Sequence, residues 1–255
     1  RGKSYTALAM AISIDAGCTN LWLVQQRRCL YVNLERSRDS MRFRLARLNK
    51  ALGLEPGRPL PFLNARGRSL SDVTRMVRRG MAKHRCEVVI LDSISRAGMG
   101  DLNENQTGNR TIDELNATAR TWMALGHTPR SDESHLYGSV HFDAGMDIGV
   151  HLLTQAKGSC SGIGLQVTKA NDIAIPPLEI IALDWSPLGL EGIRRAQGGE
   201  FPEIEAGRTM GLAEELADYL LLTGKATATE AAEELDRNRS NIANLLRRDP
   251  RFRVV

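Results

Sequence analysis

Short apolar runs alternate with helically spaced apolar stripes through most of this chain, the rhythm of an α/β fold. Tyr5-Thr6-Ala7-Leu8-Ala9-Met10-Ala11 opens an apolar helix, and Cys29-Leu30-Tyr31-Val32-Asn33-Leu34 suits a buried strand that ends on Glu35. Beyond it Met41, Leu45, Leu48 and Leu52 recur at helical spacing and turn Arg42, Arg44 and Arg47 to other faces, until Gly53 stops the helix. The proline-rich residues 56–61 form a loop, Phe62-Leu63 a brief strand, and Val73, Met76, Val77 and Met81 the stripe of another helix. Glu87-Val88-Val89-Ile90-Leu91-Asp92-Ser93 is the clearest buried strand, and it closes on an aspartate.

Residues 98–110, polar and glycine-containing, are predicted to be a loop of a length that usually serves a function. A helix carrying Ile112, Leu115 and Ala119 and reaching toward Trp122 follows. A short strand over 122–125 then leads into Gly126-His127-Thr128-Pro129-Arg130. Strands recur at 149–153, 164–168, 178–183 and 190–194, with the glycine-rich loop 157–162 between the first two. That loop suits a plain hairpin turn.

The first domain is expected to span 1–196, a linker rich in glycine, proline and charge 197–208, and a second domain 209–255. In the second, Leu212, Leu216, Tyr219 and Leu220 mark one helix, and Thr227-Ala228-Thr229-Glu230 is a capping box for another that runs to Leu235. Ile242, Leu245 and Leu246 mark a third, and Phe252-Arg253-Val254-Val255 suits a closing strand.

Composition narrows the classes without choosing among them. With 255 residues, 42% hydrophobic and 25% charged, the chain suits one large domain plus a small appendage. No apolar run approaches the roughly 20 residues of a membrane span, and no basic-then-apolar leader opens the chain, so a cytoplasmic protein is expected. Four scattered cysteines with no C-x-x-C suggest neither a disulfide framework nor a zinc ribbon. A net charge of +4 is compatible with a nucleic-acid partner but does not establish one.

Candidate chemistry gathers at strand ends. Gly2-Lys3-Ser4, directly before the first helix, matches the last three places of G-x-x-x-x-G-K-[ST], whose backbone N–H groups, lysine and hydroxyl hold phosphates and Mg²⁺. The first glycine and the strand that should precede it lie ahead of Arg1, so the chain as given is expected to bind ATP poorly. A polar N-cap explains the same tripeptide. An aliphatic strand closing on Asp92 has the Walker B shape, in which the carboxylate reaches the Mg²⁺ shell, although an aspartate can equally cap the next turn. In open α/β sheets ligands gather at the carboxyl ends of strands, which would bring Glu35, Asp92 and His127 to one edge with Lys3.

A P-loop, a strand ending in Glu35, a Walker B strand, then His127-Thr128-Pro129-Arg130 and Tyr137-Gly138-Ser139, resembles in order the RecA-like P-loop ATPases. The likeness is to the RepA-type AAA family ATPases of plasmids and phages in particular, and it extends over about residues 1–195. Gly100-Asp101-Leu102-Asn103 and the stretch from His127 to His135 carry it more specifically than the P-loop remnant. The resemblance implies an α/β RecA-like P-loop NTPase domain with a mostly parallel central sheet, closed by antiparallel strands, and ATP and Mg²⁺ as cofactors.

It also implies roles. Gly2, Lys3, Ser4 and Tyr5 would bind nucleotide, with Ser4 and Asp92 on the metal and Glu35 activating water. His127 would sense the γ-phosphate, Arg130 stands where many relatives have lysine, Lys169 would reach a neighbour's nucleotide in a homo-oligomer such as a hexameric ring, and the loop 157–162 would contact DNA unless it is a plain hairpin turn. Asn171 stands where such relatives have an arginine finger and cannot supply its fork. His127, His135, His141 and His151 with Asp132, Asp143 and Asp147 match no zinc spacing.

The three C-terminal helices and closing strand resemble a small winged-helix module. Its early helices are acidic, whereas Arg237, Arg239, Arg247, Arg248, Arg251 and Arg253 surround the third helix, with Asn238, Ser240, Asn241 and Asn244 on it or at its start. Arg237, Arg239, Asn241, Arg247 and Arg248 are the candidate DNA contacts, and a solvated basic helix making protein contacts is the alternative. The function expected is an ATPase acting on DNA in replication of a mobile element, a helicase or related motor. A DNA-binding regulator with an ATP-dependent switch competes with it.

Overall fold

The computed structural model describes residues 2–94, 104–127, 141–206, 212–235, 237–249 and 252. Arg130, Asp132, His135, the Gly100 to Asn103 and Tyr137 to Ser139 stretches, Arg251 and residues 253–255 of the expected closing strand lie outside them. The chain divides into two units, residues 1–206 and 207–255.

The first unit begins with α1 (Lys3–Ala16), β1 (Cys29–Asn33), α2 (Arg38–Ala51), β2 (Phe62–Asn64), α3 (Leu70–His84), β3 (Val88–Asp92), α4 (Asn105–Thr118) and β4 (Thr121–Ala124). The four strands form one parallel sheet in the order β2-β1-β3-β4. Alternation along the central strands supplies two cores. Cys29, Tyr31 and Ile90 pack with α1 and α2, whereas Leu30, Val32, Val89 and Leu91 pack with α3 and α4. Burial on both faces explains why β1 and β3 read as unbroken apolar runs.

At the N-terminal end of the sheet, the fully buried Asp15 carboxylate is a polar hub. It accepts from Arg58 at 2.6 Å, from Arg28 at 3.2 Å and from the Cys29 N–H at 3.1 Å, tying α1, β1 and the proline-rich loop together. Burial, with the Asp15 charge second, pushes the Cys29 thiol up to about 12, so this cysteine is an inert core residue.

Helix α4 starts at Asn105, inside the stretch expected to be a loop. Its buried face includes Thr107, Gly108, Thr111 and Thr118 beside Ile112 and Leu115, with Thr111 and Thr118 hydroxyls turned back to the carbonyls of Thr107 and Glu114. Threonine and glycine carry no apolar signal in a sequence pattern, which hid the first turns. Trp122 lies in β4, outside the helix, and its indole N–H donates to Asn116 Oδ1.

The rest of the first unit comprises α5 (His141–Gly145), β5 (Ile148–Lys157), β6 (Cys160–Ala170), β7 (Glu179–Ser186), β8 (Gly189–Arg195) and α6 (Pro202–Ala206). These strands were expected to close the edge of the parallel sheet. They form an antiparallel sheet of their own instead, and among the described residues none pairs with β4. The physical reason is that Ile163, Leu165, Ile181, Leu183, Leu190 and Ile193 bury themselves in the core of α1 and α2. The glycine-rich loop is a tight hairpin: Lys157 pairs with Cys160 across a two-residue turn with Gly158 at φ 59°. On the other face of β6, a Cβ at Gly162 would come within 2.5 Å of the Phe201 ring, and one at Gly164 within 2.5 Å of Ile204. Those two bare positions let α6 lie on the sheet and carry the first unit through Ala206.

The second unit holds α7 (Leu212–Thr223), α8 (Ala228–Glu234) and α9 (Arg239–Arg248) around Leu216, Ala231, Ala232 and Ile242, with Phe252 packed against that core. The capping box reads in space as in sequence, with the Glu230 N–H donating to the Thr227 hydroxyl and the Thr227 N–H to the Glu230 carboxylate. Among the described residues this unit has no strand.

Candidate functional site

The carboxyl edge of the parallel sheet collects most of the residues singled out above. Register pairs Asn33 with Asp92, so β1 and β3 end level and Glu35 leaves one strand beside the end of the other. β4 runs next to β3 and delivers Gly126 and His127 to the same edge. Helix α1 starts there too, because Lys3 Nζ donates to the Gly126 carbonyl at 2.9 Å and lies 2.9 Å from His127 Nδ1. An ammonium can only donate, so in this contact Nδ1 is the acceptor.

The first residues of α1 are built for close approach. Gly2 caps the helix at φ 116°, a left-handed conformation that favours glycine, and a Cβ there would lie 2.5 Å from Ile163 Cδ1. No side chain caps the helix, Ser4 stands in its first turn, and the positive end of the helix dipole would favour an anion there. The Tyr5 ring packs inward, edge-on to Trp185 at 5.0 Å and under the Arg44 guanidinium at 4.5 Å.

Two carboxylates complete the edge. Asp92 is 2% exposed, and its Oδ2 accepts from the Tyr31 hydroxyl at 2.9 Å. Burial and then the Asp92 charge raise the phenol's pKa well above its ordinary value, so Tyr31 stays protonated and donates. Half-buried Glu35 accepts from the Ser93 hydroxyl, and the Asp92–Ser93 peptide bond is cis.

The turn after β1 is fixed by Asn33, which is fully buried. Its Oδ1 accepts from the N–H groups of Arg36 at 3.0 Å and Glu35 at 3.3 Å, while its Nδ2 donates to the Arg36 carbonyl and to Asn64. Sequence reading passed over Tyr31 and Asn33 as members of an apolar strand. A polar atom inside a buried strand, two to four residues before a charged end, was the available signal. Arg44 was also missed, having been read as turned away. Its guanidinium lies over the Tyr5 ring at the start of α1, and burial first and Arg36 second lower its pKa while Tyr5, Asp92 and Tyr31 oppose that.

Lys169, at the end of β6, donates to the carbonyls of Met146 at 2.7 Å and Ala144 at 3.4 Å, and Asn171 holds Asp147 through its side chain and its N–H. No group of three or more His, Cys, Asp or Glu side chains suited to a metal occurs among the described residues.

The residues present fit a Mg²⁺-bound nucleotide. Among the described residues Asp92 Oδ1 has no hydrogen-bond partner, and it sits at the sheet edge where α1 begins with Lys3 and Ser4.

In the second unit, α9 exposes Asn241, Asn244, Arg247 and Arg248 on its solvent side. Arg239 donates to the Thr229 hydroxyl at 3.0 Å, while Arg237 makes a two-pronged pair with Glu215 at 2.9 and 3.1 Å. That pair links α7 to the turn before α9.

No helix among the described residues is long and apolar enough to cross a membrane. A family model described as an AAA domain matches residues 1–131, just over half of the chain. No curated protein matches the chain.

Proposed function

The chain belongs to the AAA domain family, and on that basis we propose that it binds and hydrolyses ATP with Mg²⁺ and acts on DNA, as a RepA-type motor in replication of a mobile element. The observation that carries this is the convergence at one sheet edge of Lys3, Asp92 and Glu35, each held by a neighbour. In this reading Gly2, Lys3, Ser4 and Tyr5 receive the phosphates through the start of α1, and Ser4 and Asp92 hold the metal. Mg²⁺ bound there would neutralise charge developing on the transferring phosphoryl group. Glu35 orients the attacking water and His127, through Lys3, reports on the γ-phosphate. Arg130 and Lys169 are assigned to nucleotide contacts, Lys169 across a ring of copies.

Asn171 favours a second reading, a DNA-binding regulator whose nucleotide domain is a switch. The two separate by experiment. Single-stranded DNA should raise the ATP turnover of a motor at least tenfold, a free-energy change of about 1.4 kcal/mol at the transition state. Turnover indifferent to DNA would favour the switch.

DNA binding is assigned to α9 and its flanks, Arg237, Arg239, Asn241, Arg247 and Arg248. Replacing Arg239, Arg247 and Arg248 by Ala should reduce the slope of log K against log salt for duplex DNA by about three, since each phosphate contact contributes about 0.9. Arg237 is left in place because its pair with Glu215 braces the unit. A slope equal to wild type would assign α9 to protein contacts.

A further inference from the structure

We propose that Tyr31 is a positioning residue for the metal ligand: its hydroxyl occupies Asp92 Oδ2 and thereby presents Oδ1 alone to the cation. The inference rests on the nucleotide reading above and adds to it a residue that touches neither nucleotide nor metal.

Two observations and the chemistry of a carboxylate support it. Tyr31 and Asp92 lie on adjacent parallel strands, and the 2.9 Å hydrogen bond between them is buried at both ends. A carboxylate with both oxygens free can rotate about its Cβ–Cγ bond and chelate with both, whereas a phenol held to one oxygen restrains that rotation and leaves the other oxygen for the cation. The ring has its own place in the packing, stacked on Phe62 with centroids 6.2 Å apart, so the hydroxyl is aimed by the core and does not depend on the carboxylate for its position. Such support of a ligand by an outer hydrogen bond typically changes metal affinity 10- to 100-fold.

Tyr31→Phe removes the hydroxyl and keeps the ring. The measurement is calorimetric binding of ADP to the full-length protein without metal and across a Mg²⁺ series, with a thermal melt of each variant alongside. The expected result is an unchanged metal-free ADP affinity and a Mg²⁺ midpoint about tenfold higher in Tyr31→Phe. A Mg²⁺ midpoint equal to wild type, in a variant that melts cooperatively, would overturn the inference and leave the nucleotide reading intact. Equal loss of ADP affinity with and without metal would make Tyr31 structural only, and also overturns it. Wild-type protein whose ADP affinity does not respond to Mg²⁺ at all would remove the nucleotide reading itself, and this inference with it.

Discussion

In protein extended upstream to complete the P-loop, Glu35→Gln should retain ATP binding and lower turnover by about a thousandfold, the range for loss of a positioned general base. The amide is isosteric, and Asn33 fixes the backbone of the turn independently of the Glu35 side chain, so the loop geometry survives the change. Ser93 can still donate to the remaining carbonyl oxygen. On the proposed reading, what disappears is the negative charge that takes up the proton of the attacking water. Asp92→Asn should act differently, because it weakens the proposed metal ligand, and its loss should be partly recovered at raised Mg²⁺. Filter binding of ATP beside single-turnover hydrolysis separates the two. Near wild-type hydrolysis by Glu35→Gln would remove Glu35 from the base's role.

The second large effect is expected at the opposite end of the sheet. Asp15→Ala should destabilise the first unit by about 3 kcal/mol, because it strips the partner from two guanidinium groups and leaves the buried Cys29 N–H without an acceptor. The estimate is the low end for a broken buried pair, since Arg28 and Arg58 retain 47% and 21% side-chain exposure and can turn to water. In a unit of this size that corresponds to a melting point about 6–12 °C lower. Asp15→Asn keeps an oxygen for the Cys29 N–H and should lose less. Equal melting points for Asp15→Ala and wild type would show that the hub contributes no net stability.

Legibility followed the physics of each element. β1, α2, α3 and β3 were readable because strands buried on two faces are uniformly apolar and their helices carry Leu, Val and Met stripes. The start of α4 was not, because its inward face is made of threonine and glycine. The separation of β5–β8 from the parallel sheet was hidden as well: strand patterns give which residues are buried and say nothing of which sheet edge receives them. At the site, Lys3, Glu35, Asp92 and His127 stood out as charged or polar groups at element ends, and the structure brings them to one edge. Their supports, Tyr31, Asn33 and Arg44, did not, because side chains that act through hydrogen bonds inside a core resemble their neighbours in sequence.

The alternation along β1 makes insertions and deletions there far more damaging than substitutions. Leu30 and Val32 face one core while Cys29 and Tyr31 face the other, so one residue gained or lost within 29–33 would exchange the two sets. The phenol would then point at α3, an aliphatic chain would meet Asp92, and the Asn33 turn would begin one step out of place. An aliphatic exchange at Val32 leaves all of this intact. Among natural variants of this chain, length in this segment should therefore be held constant even where its aliphatic residues drift.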